Sequence, residues 1–473
     1  MSSDVPGASN DRPSLDGTTG REVLVVWSGE RLGAGPTDGV MARPMQRSGP
    51  VGPEHFLNDG LPDATAVRAS VAFDQHPTGF VAWEDFDGDE AGGSGDGISG
   101  RWITKTGFPL GTQIRINQHK QFNQRRPAVA RTRDGDALVV WQDEGHVFKD
   151  PDVSRIVARF LGQGGSNGNE FELAATEDGR PHGVRLAGLP SGGFATVWTR
   201  EATENGGAAQ NLDVVLSILD DVGDVRSQTS VSGDSAGDHF SPNLAVCDDG
   251  RVFVAWASNA AAEDPDVGIV GQWFSTDGVP LTDAVRMNEH LAGRQNHPVV
   301  ATTPDCSAIV VWQSDEQDGD GEGVFGARIT PDLTLSKEFQ VSAEERADQG
   351  SGFFRTLDVH AVDQNEFVVV WPNEEPDTRE YPLLARWFCF LPEDEFVCGD
   401  ATCVRSPDAQ AGIRDAVTVA DAQAILLGSV GLRDCSVCRC DMDGSGVVET
   451  RDALAALRKS LGFVVPERCP TAC

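Results

Sequence analysis

The stretch best equipped for chemistry is Asp441-Met442-Asp443-Gly444-Ser445-Gly446-Val447-Val448-Glu449-Thr450-Arg451-Asp452. Its loop positions 1, 3 and 5 carry oxygen side chains, position 6 is a turn glycine, position 8 is apolar and position 12 is acidic. A calcium ion takes about six to eight oxygens at relaxed distances, and this spacing gathers them around one point. Asp441, Asp443, Ser445 and Asp452 are expected to supply side-chain oxygens and Val447 its carbonyl, with Glu449 reaching the ion directly or through water. The competing reading is an acidic turn that caps the following helix. A second copy stands upstream, since Val417-Thr418-Val419-Ala420-Asp421-Ala422 returns 31 residues later as Val448-Glu449-Thr450-Arg451-Asp452-Ala453. Asp400, Thr402 and Asp421 fall at its matching ligand positions, but ten extra residues intervene, among them Cys403. That copy either holds calcium in altered geometry or has a disulfide through Cys403 in the ion's place.

Other chemistry-bearing residues have structural readings beside the functional ones. Arg43, Arg101, Arg159, Arg328 and Arg386 recur at one repeat position, and such a set reads either as a carboxylate-binding cluster or as part of each repeat's own packing. The packing reading is preferred, because a residue repeated in most units serves the unit. The single tyrosine, Tyr381, stands beside Glu380 and would be a nucleophile only if other singular acids faced it; a surface tyrosine is expected. The acidic loops at 85–89 and 318–322 read as solvated turns before they read as calcium sites. Cys247 and Cys306 either bridge or remain two buried thiols.

These residues must be positioned by a scaffold that the sequence writes seven times. Val368-Val369-Val370-Trp371 is matched by runs ending at Trp27, Trp83, Trp141, Trp198, Trp256 and Trp312, spaced 56, 58, 57, 58, 56 and 59 residues apart. Runs of β-branched residues ending in Trp and bounded by Gly/Asp turns predict strands buried on both faces. Fourteen residues before the Trp stands Pro13, Pro127, Pro242 or Pro298, opening a short first strand. A turn such as Asp134-Gly135 leads to the Trp strand. A polar loop, a third strand such as Arg155–Phe160, and a fourth such as Gln113–Asn117 follow. Four short strands per unit of about 57 residues predict an all-β seven-bladed β-propeller over residues 10–390. Separate sandwiches need longer units and a solenoid shorter rungs. A small cysteine-rich, two-helix module is expected over 398–473, its helices stopped at Gly431 and Gly462.

The repeats resemble those of about 57 residues in large secreted bacterial proteins, most closely at Ile309-Val310-Val311-Trp312-Gln313-Ser314-Asp315-Glu316-Gln317-Asp318-Gly319-Asp320-Gly321. That resemblance implies a scaffold and no single activity. The duplicated tail, with Asp at loop position 12 and a helix only after the loop, resembles a dockerin type I module, a kind of EF-hand-like calcium module. The resemblance implies Ca2+ as cofactor and a cohesin-like protein or cell-surface component as partner.

Bulk properties bound the rest. The 473 residues carry 73 acidic and 38 basic side chains, a net charge of −35, which argues against nucleic acid and anionic membranes as partners. No apolar run is long enough to span a bilayer. Met1-Ser2-Ser3-Asp4 begins no secretory signal, whereas eight of the ten cysteines cluster from Cys389 onward and favour disulfides in an oxidising, extracellular setting. The expected function is therefore a non-catalytic extracellular binding or adhesion protein. Its propeller would present a glycan- or protein-binding face, with polysaccharide as one ligand class, and its tail would attach it in a calcium-dependent way. The alternative is a sialidase-like glycoside hydrolase, or a lyase, carrying the same tail. An enzyme of that kind needs a cluster of unrepeated acids with a tyrosine or histidine at the ring.

Overall fold

The fold is seen in a computed structural model. It describes residues 10–17, 22–30, 38–47, 49–58, 66–85, 95–120, 123–144, 154–175, 179–202, 211–233, 237–260, 266–319, 321–342, 356–364, 366–373, 383–390 and 413–414, with positions 454 and 457. Seven antiparallel sheets follow one another along the chain, each a meander of neighbouring strands. Six have four strands, and the first has a fifth short strand paired to its third. This is a seven-bladed β-propeller.

The second strand of every blade is the Trp strand: Val23–Glu30, Thr78–Asp85, Ala137–Glu144, Phe194–Ala202, Val252–Ser258, Ala308–Asp315 and Glu366–Pro372. It is apolar on both faces because a blade is covered on each side by its neighbours. Trp141 shows how the pieces fit. It packs with Val139 of its own blade against Phe80, Trp102 and Ile116 of the blade before. Trp198, Trp256 and Trp312 repeat that relation one blade further round each time. Trp83, Trp141, Trp198 and Trp312 are completely buried. Each such ring removes roughly 150–250 Å² from water and contributes about 4–6 kcal/mol before ordering entropy. In blades 3, 4 and 5 the turn between first and second strands places a glycine at positive φ, as at Gly135 (89°), while blade 6 puts Cys306 there at 61°.

The recurrent arginines are explained here. Arg101 donates from Nη1 to the Leu57 carbonyl of the blade before (2.8 Å) and from Nε to Gly111 of its own outermost strand (3.2 Å). Arg159 does the same with Ile116 (2.5 Å) and Gly168 (2.8 Å). Arg43 keeps the second of these bonds, to Gly52 (3.1 Å), while Arg328 turns instead to Asp305 and Ser307. Arg101 and Arg159 tie blades together, Arg43 and Arg328 brace their own blades, and Arg386 lies over the Phe388 ring at 5.2 Å. Cys247 and Cys306 form a disulfide, with Cα atoms 5.4 Å apart, between blades 5 and 6.

The chain divides into two compact units, one of Met1–Gln364 with Val369–Ala385 and one of Asn365–Val368 with Arg386–Cys473. Within the first, the innermost strand of blade 7, Asp358–Ala361, lies against that of blade 1, Asn10–Gly17, and the ring closes. Within the second, Phe367 stacks on Phe388 at 4.9 Å, and Cys389 and Phe390 pair with Arg414 and Ile413. The outermost strand of the seventh sheet thus comes from Ile413–Arg414, inside the segment expected to form the tail module. Leu454 and Leu457 are helical positions. No helix among the described residues is long and apolar enough to cross a membrane.

Candidate functional site

The innermost strands of the seven blades surround a channel of about 1320 Å³. Strand alternation puts every second residue on one side of each strand, and these residues form rows along the channel wall. Counting back from each Trp, the channel-facing positions form rows. Eleven residues before the Trp the row reads Asp16, Ala72, Ala130, Ala187, Ala245, Ala301 and His360. Thirteen before, it reads Ser14, Ser70, Ala128, Arg185, Asn243, Val299 and Asp358. Fifteen before, blades 2 to 7 give Arg68, Arg126, Gly183, Ser241, His297 and Thr356. Row eleven is alanine in five of the seven blades, whereas rows thirteen and fifteen change from blade to blade.

Each row has a local cause. The pairing of first and second strands slips between Val67 and Ser70, Arg125 and Ala128, His182 and Arg185, Phe240 and Asn243, and Asn296 and Val299. Prolines 127, 242 and 298 sit in these bulges, where a missing N–H costs nothing to the ladder. The residue before takes left-handed backbone: φ is 54° at Arg68, 55° at Arg126, 71° at Gly183, 51° at Ser241 and 50° at His297. Left-handed backbone is strained for Arg, Ser and His. The bulge re-aims these side chains to the channel end where the strands begin.

One layer deeper, row-thirteen oxygens accept main-chain N–H groups from the next blade. Ser14 Oγ accepts from Val71 at 3.2 Å, and Ser70 Oγ accepts from Val129 at 3.3 Å. At the closing seam Asp358 Oδ2 takes that role for Leu15 N at 2.9 Å, and its Oδ1 accepts from Val359 N at 2.9 Å. Desolvation in the confined channel raises the Asp358 carboxyl to about 7, against the lowering pull of those two N–H groups and Arg185. Next to it, Asp16 accepts from Phe73 N and Gly17 N, both at 2.7 Å, and faces His360 Nδ1 at 3.6 Å. Burial raises the Asp16 carboxyl, with the His360 charge opposing, and burial lowers the His360 imidazole, with Asp16 opposing. Gly17 makes this pair fit, since a Cβ there would lie 2.6 Å from His360 Nε2. Two carboxyls and an imidazole therefore meet at the seam of blades 7 and 1, and in the row of Asp16 and His360 the other five blades place alanine.

The strand-beginning end is cationic. Arg68 is neutralised by Glu84, whose fully buried carboxylate it grips at 2.5 and 2.7 Å. Arg126 is exposed at the mouth, and Arg185 stands below it with one bond to the Val184 carbonyl at 3.0 Å. Burial lowers the Arg185 guanidinium from its ordinary value, and the neighbouring Arg126 adds to it. His182 and His297 are likewise held toward the neutral form by burial, reinforced by nearby arginines. Both guanidinium groups stay charged at any physiological pH.

The remaining sequence-predicted residues fare differently. Asp441, Asp443, Ser445, Val447, Glu449, Asp452, Asp400, Thr402 and Asp421 lie outside the described residues, as do Tyr381 and Glu380. So do Phe86–Asp89 and Asp320 of the acidic loops. Asp85, the first acid of the blade 2 loop, is occupied by Ser99 Oγ at 2.9 Å and Gln113 Nε2 at 3.0 Å. Among the described residues one group of acids and sulfurs converges, Cys247, Asp249 and Cys306, and its two sulfurs are spent on the disulfide. The sequence reading missed Asp16, Arg126, Arg185, Asp358 and His360. The signal was present: aligned on Trp, Asp16 and His360 interrupt a column of alanines.

No family model matches the chain, and no curated protein does. Among solved structures, it is similar to the polysaccharide lyase Uly1, with 10% identity over 79% of this chain and 89% of that one, at a TM-score of 0.48. The β-propeller domain of the Trilobed protease from Pyrococcus furiosus shares 12% identity over 80% and 92% of the two chains, at 0.46. The NanB sialidase from Streptococcus pneumoniae shares 9% over 81% and 68%, at 0.42. At this distance the likenesses assign no activity.

Proposed function

We propose that this is an extracellular binding protein that takes a glycan into the central channel of its propeller, with the C-terminal segment as a dockerin-like, calcium-dependent attachment to a cohesin-like or cell-surface partner. The observation that carries the binding reading is the contrast between rows: blade-building positions and the alanine row repeat, while rows thirteen and fifteen differ from blade to blade. A ring that only needed filling would repeat small residues there, as the five alanines do. The channel volume of about 1320 Å³ exceeds the roughly 300–1,000 Å³ of a small-molecule pocket, which suits an oligomeric ligand. Ser14, Ser70, Ser241 and Asn243 offer hydrogen bonds to a hydroxylated chain. The disulfide between blades 5 and 6 and the cysteine-rich tail support an oxidising compartment.

A second reading has one specific observation behind it. Asp16, Asp358 and His360 make the unrepeated cluster that a glycoside hydrolase or lyase would need, with His360 disposed toward the neutral form a general base requires. Screening the purified chain on a glycan array and on a panel of polysaccharides and chromogenic glycosides separates the two. Binding without turnover, lost when Asn243 and Ser241 are changed to leucine, is the expected result. Turnover abolished by His360→Gln would replace the binding reading with the enzymatic one.

A further inference from the structure

We infer that the glycan this channel accepts is a polyanion, an oligosaccharide bearing carboxylate or sulfate groups gripped by Arg126 and Arg185. The inference rests on the channel being the binding site. The whole chain has nearly two acids for every base, 73 against 38. The channel reverses that balance, being lined by six arginines against four aspartates, with no lysine and no glutamate. Arginine presents a planar fork that matches carboxylate and sulfate oxygens two at a time, which an ammonium group does not.

The arrangement of these arginines points to a ligand and away from a structural role. The blade-tying arginines reach backbone carbonyls, and Arg68 is answered by Glu84. Arg126 and Arg185 instead line the same channel, and no carboxylate among the described residues lies within ion-pair distance of either. Like charges collected in a confined space repel, and a bound anion relieves that repulsion. The bulge that holds Arg126 at φ 55° recurs at Arg68, Ser241 and His297, and blade 4 meets it with glycine at φ 71°, so glycine is compatible with the position.

The test uses three hexasaccharides in titration calorimetry: hexagalacturonate for carboxylate, a heparin-derived hexamer for sulfate, and cellohexaose as the neutral arm. The full chain should bind at least one anionic hexamer about tenfold or more tighter than cellohexaose, with affinity falling as salt is raised. Arg126→Gly and Arg185→Gln should each weaken that binding about tenfold or more and flatten its salt dependence. Arg126→Gly should keep or raise the melting temperature, because glycine relieves the left-handed strain. This separates lost binding from lost folding. Equal or tighter binding of cellohexaose, or wild-type affinity in Arg126→Gly, overturns the polyanion inference and leaves the channel reading standing. Failure of all three hexamers, with a wider array binding only sites untouched by channel substitutions, overturns the channel reading itself.

Discussion

Removing Arg68 while leaving Glu84 tests whether the channel mouth is built on a buried ion pair. Glu84 has no exposed side chain, and Arg68 contacts both its oxygens, at 2.5 and 2.7 Å. In Arg68→Met the carboxylate keeps, among the described residues, Arg126 N at 3.3 Å and Arg125 Nε at 3.7 Å. Stripping one partner from a buried pair costs about 3–5 kcal/mol, and the two surviving contacts place this case near the lower end, at about 3 kcal/mol. Unfolding entropy of about 2.1 cal/mol/K per residue over roughly 380 residues gives about 0.8 kcal/mol/K, so the melting temperature should fall by about 4 °C. Adding Glu84→Gln removes the stranded charge while keeping an acceptor for Arg126 N. The double variant should therefore recover to within about 1 kcal/mol of wild type. Scanning calorimetry and urea titration measure both. A loss below 1 °C in the single variant, or a double variant as unstable as the two singles added, would show that Glu84 is not the stranded group supposed here.

Three further outcomes follow from the same reasoning. Cys247→Ser with Cys306→Ser opens a cross-link spanning 59 residues, worth about 4 kcal/mol in the chain-entropy treatment, and should lower the urea midpoint accordingly; thiol labelling of the wild type at either cysteine would contradict the bond. Asp358 is raised from 3.8 to about 7, so the unfolded chain ionises there while the folded one stays protonated. Its contribution to stability is therefore lost as pH rises from about 4 to about 7, and a melting profile across that window should flatten in Asp358→Asn; an unchanged slope sinks the assignment. Asp441→Ala with Asp443→Ala should abolish the calcium-dependent shift of a minor, tail-derived transition and leave the propeller transition in place, and unchanged calcium affinity of the tail would show the loop reading to be wrong.

The repeat was legible in the sequence because each blade specifies itself locally. The β-branched run ending in Trp, the Gly/Asp turn and the period near 57 are all short-range features. They predict four strands and seven units without knowledge of what touches what. The structural reading of Arg101 and Arg159 followed from the same regularity, and their bonds to Leu57 and Ile116 agree with it. Whether Cys247 met Cys306 could not be read, because a 59-residue separation leaves two strands free to present their thiols to different blades. The channel was legible only in outline. Asp16 and His360 stand out in an aligned column, yet nothing local says that residues more than three hundred apart are neighbours. Ring closure decides it, bringing Leu15 N to Asp358 across 343 positions. It also decides charge: Arg68 and Arg126 occupy the same position in successive blades, but burial of Glu84 beside one of them neutralises it and leaves the other facing the channel. Backbone periodicity is encoded residue by residue, whereas the electrostatics of a channel belong to the surfaces that seven separate strands bring together.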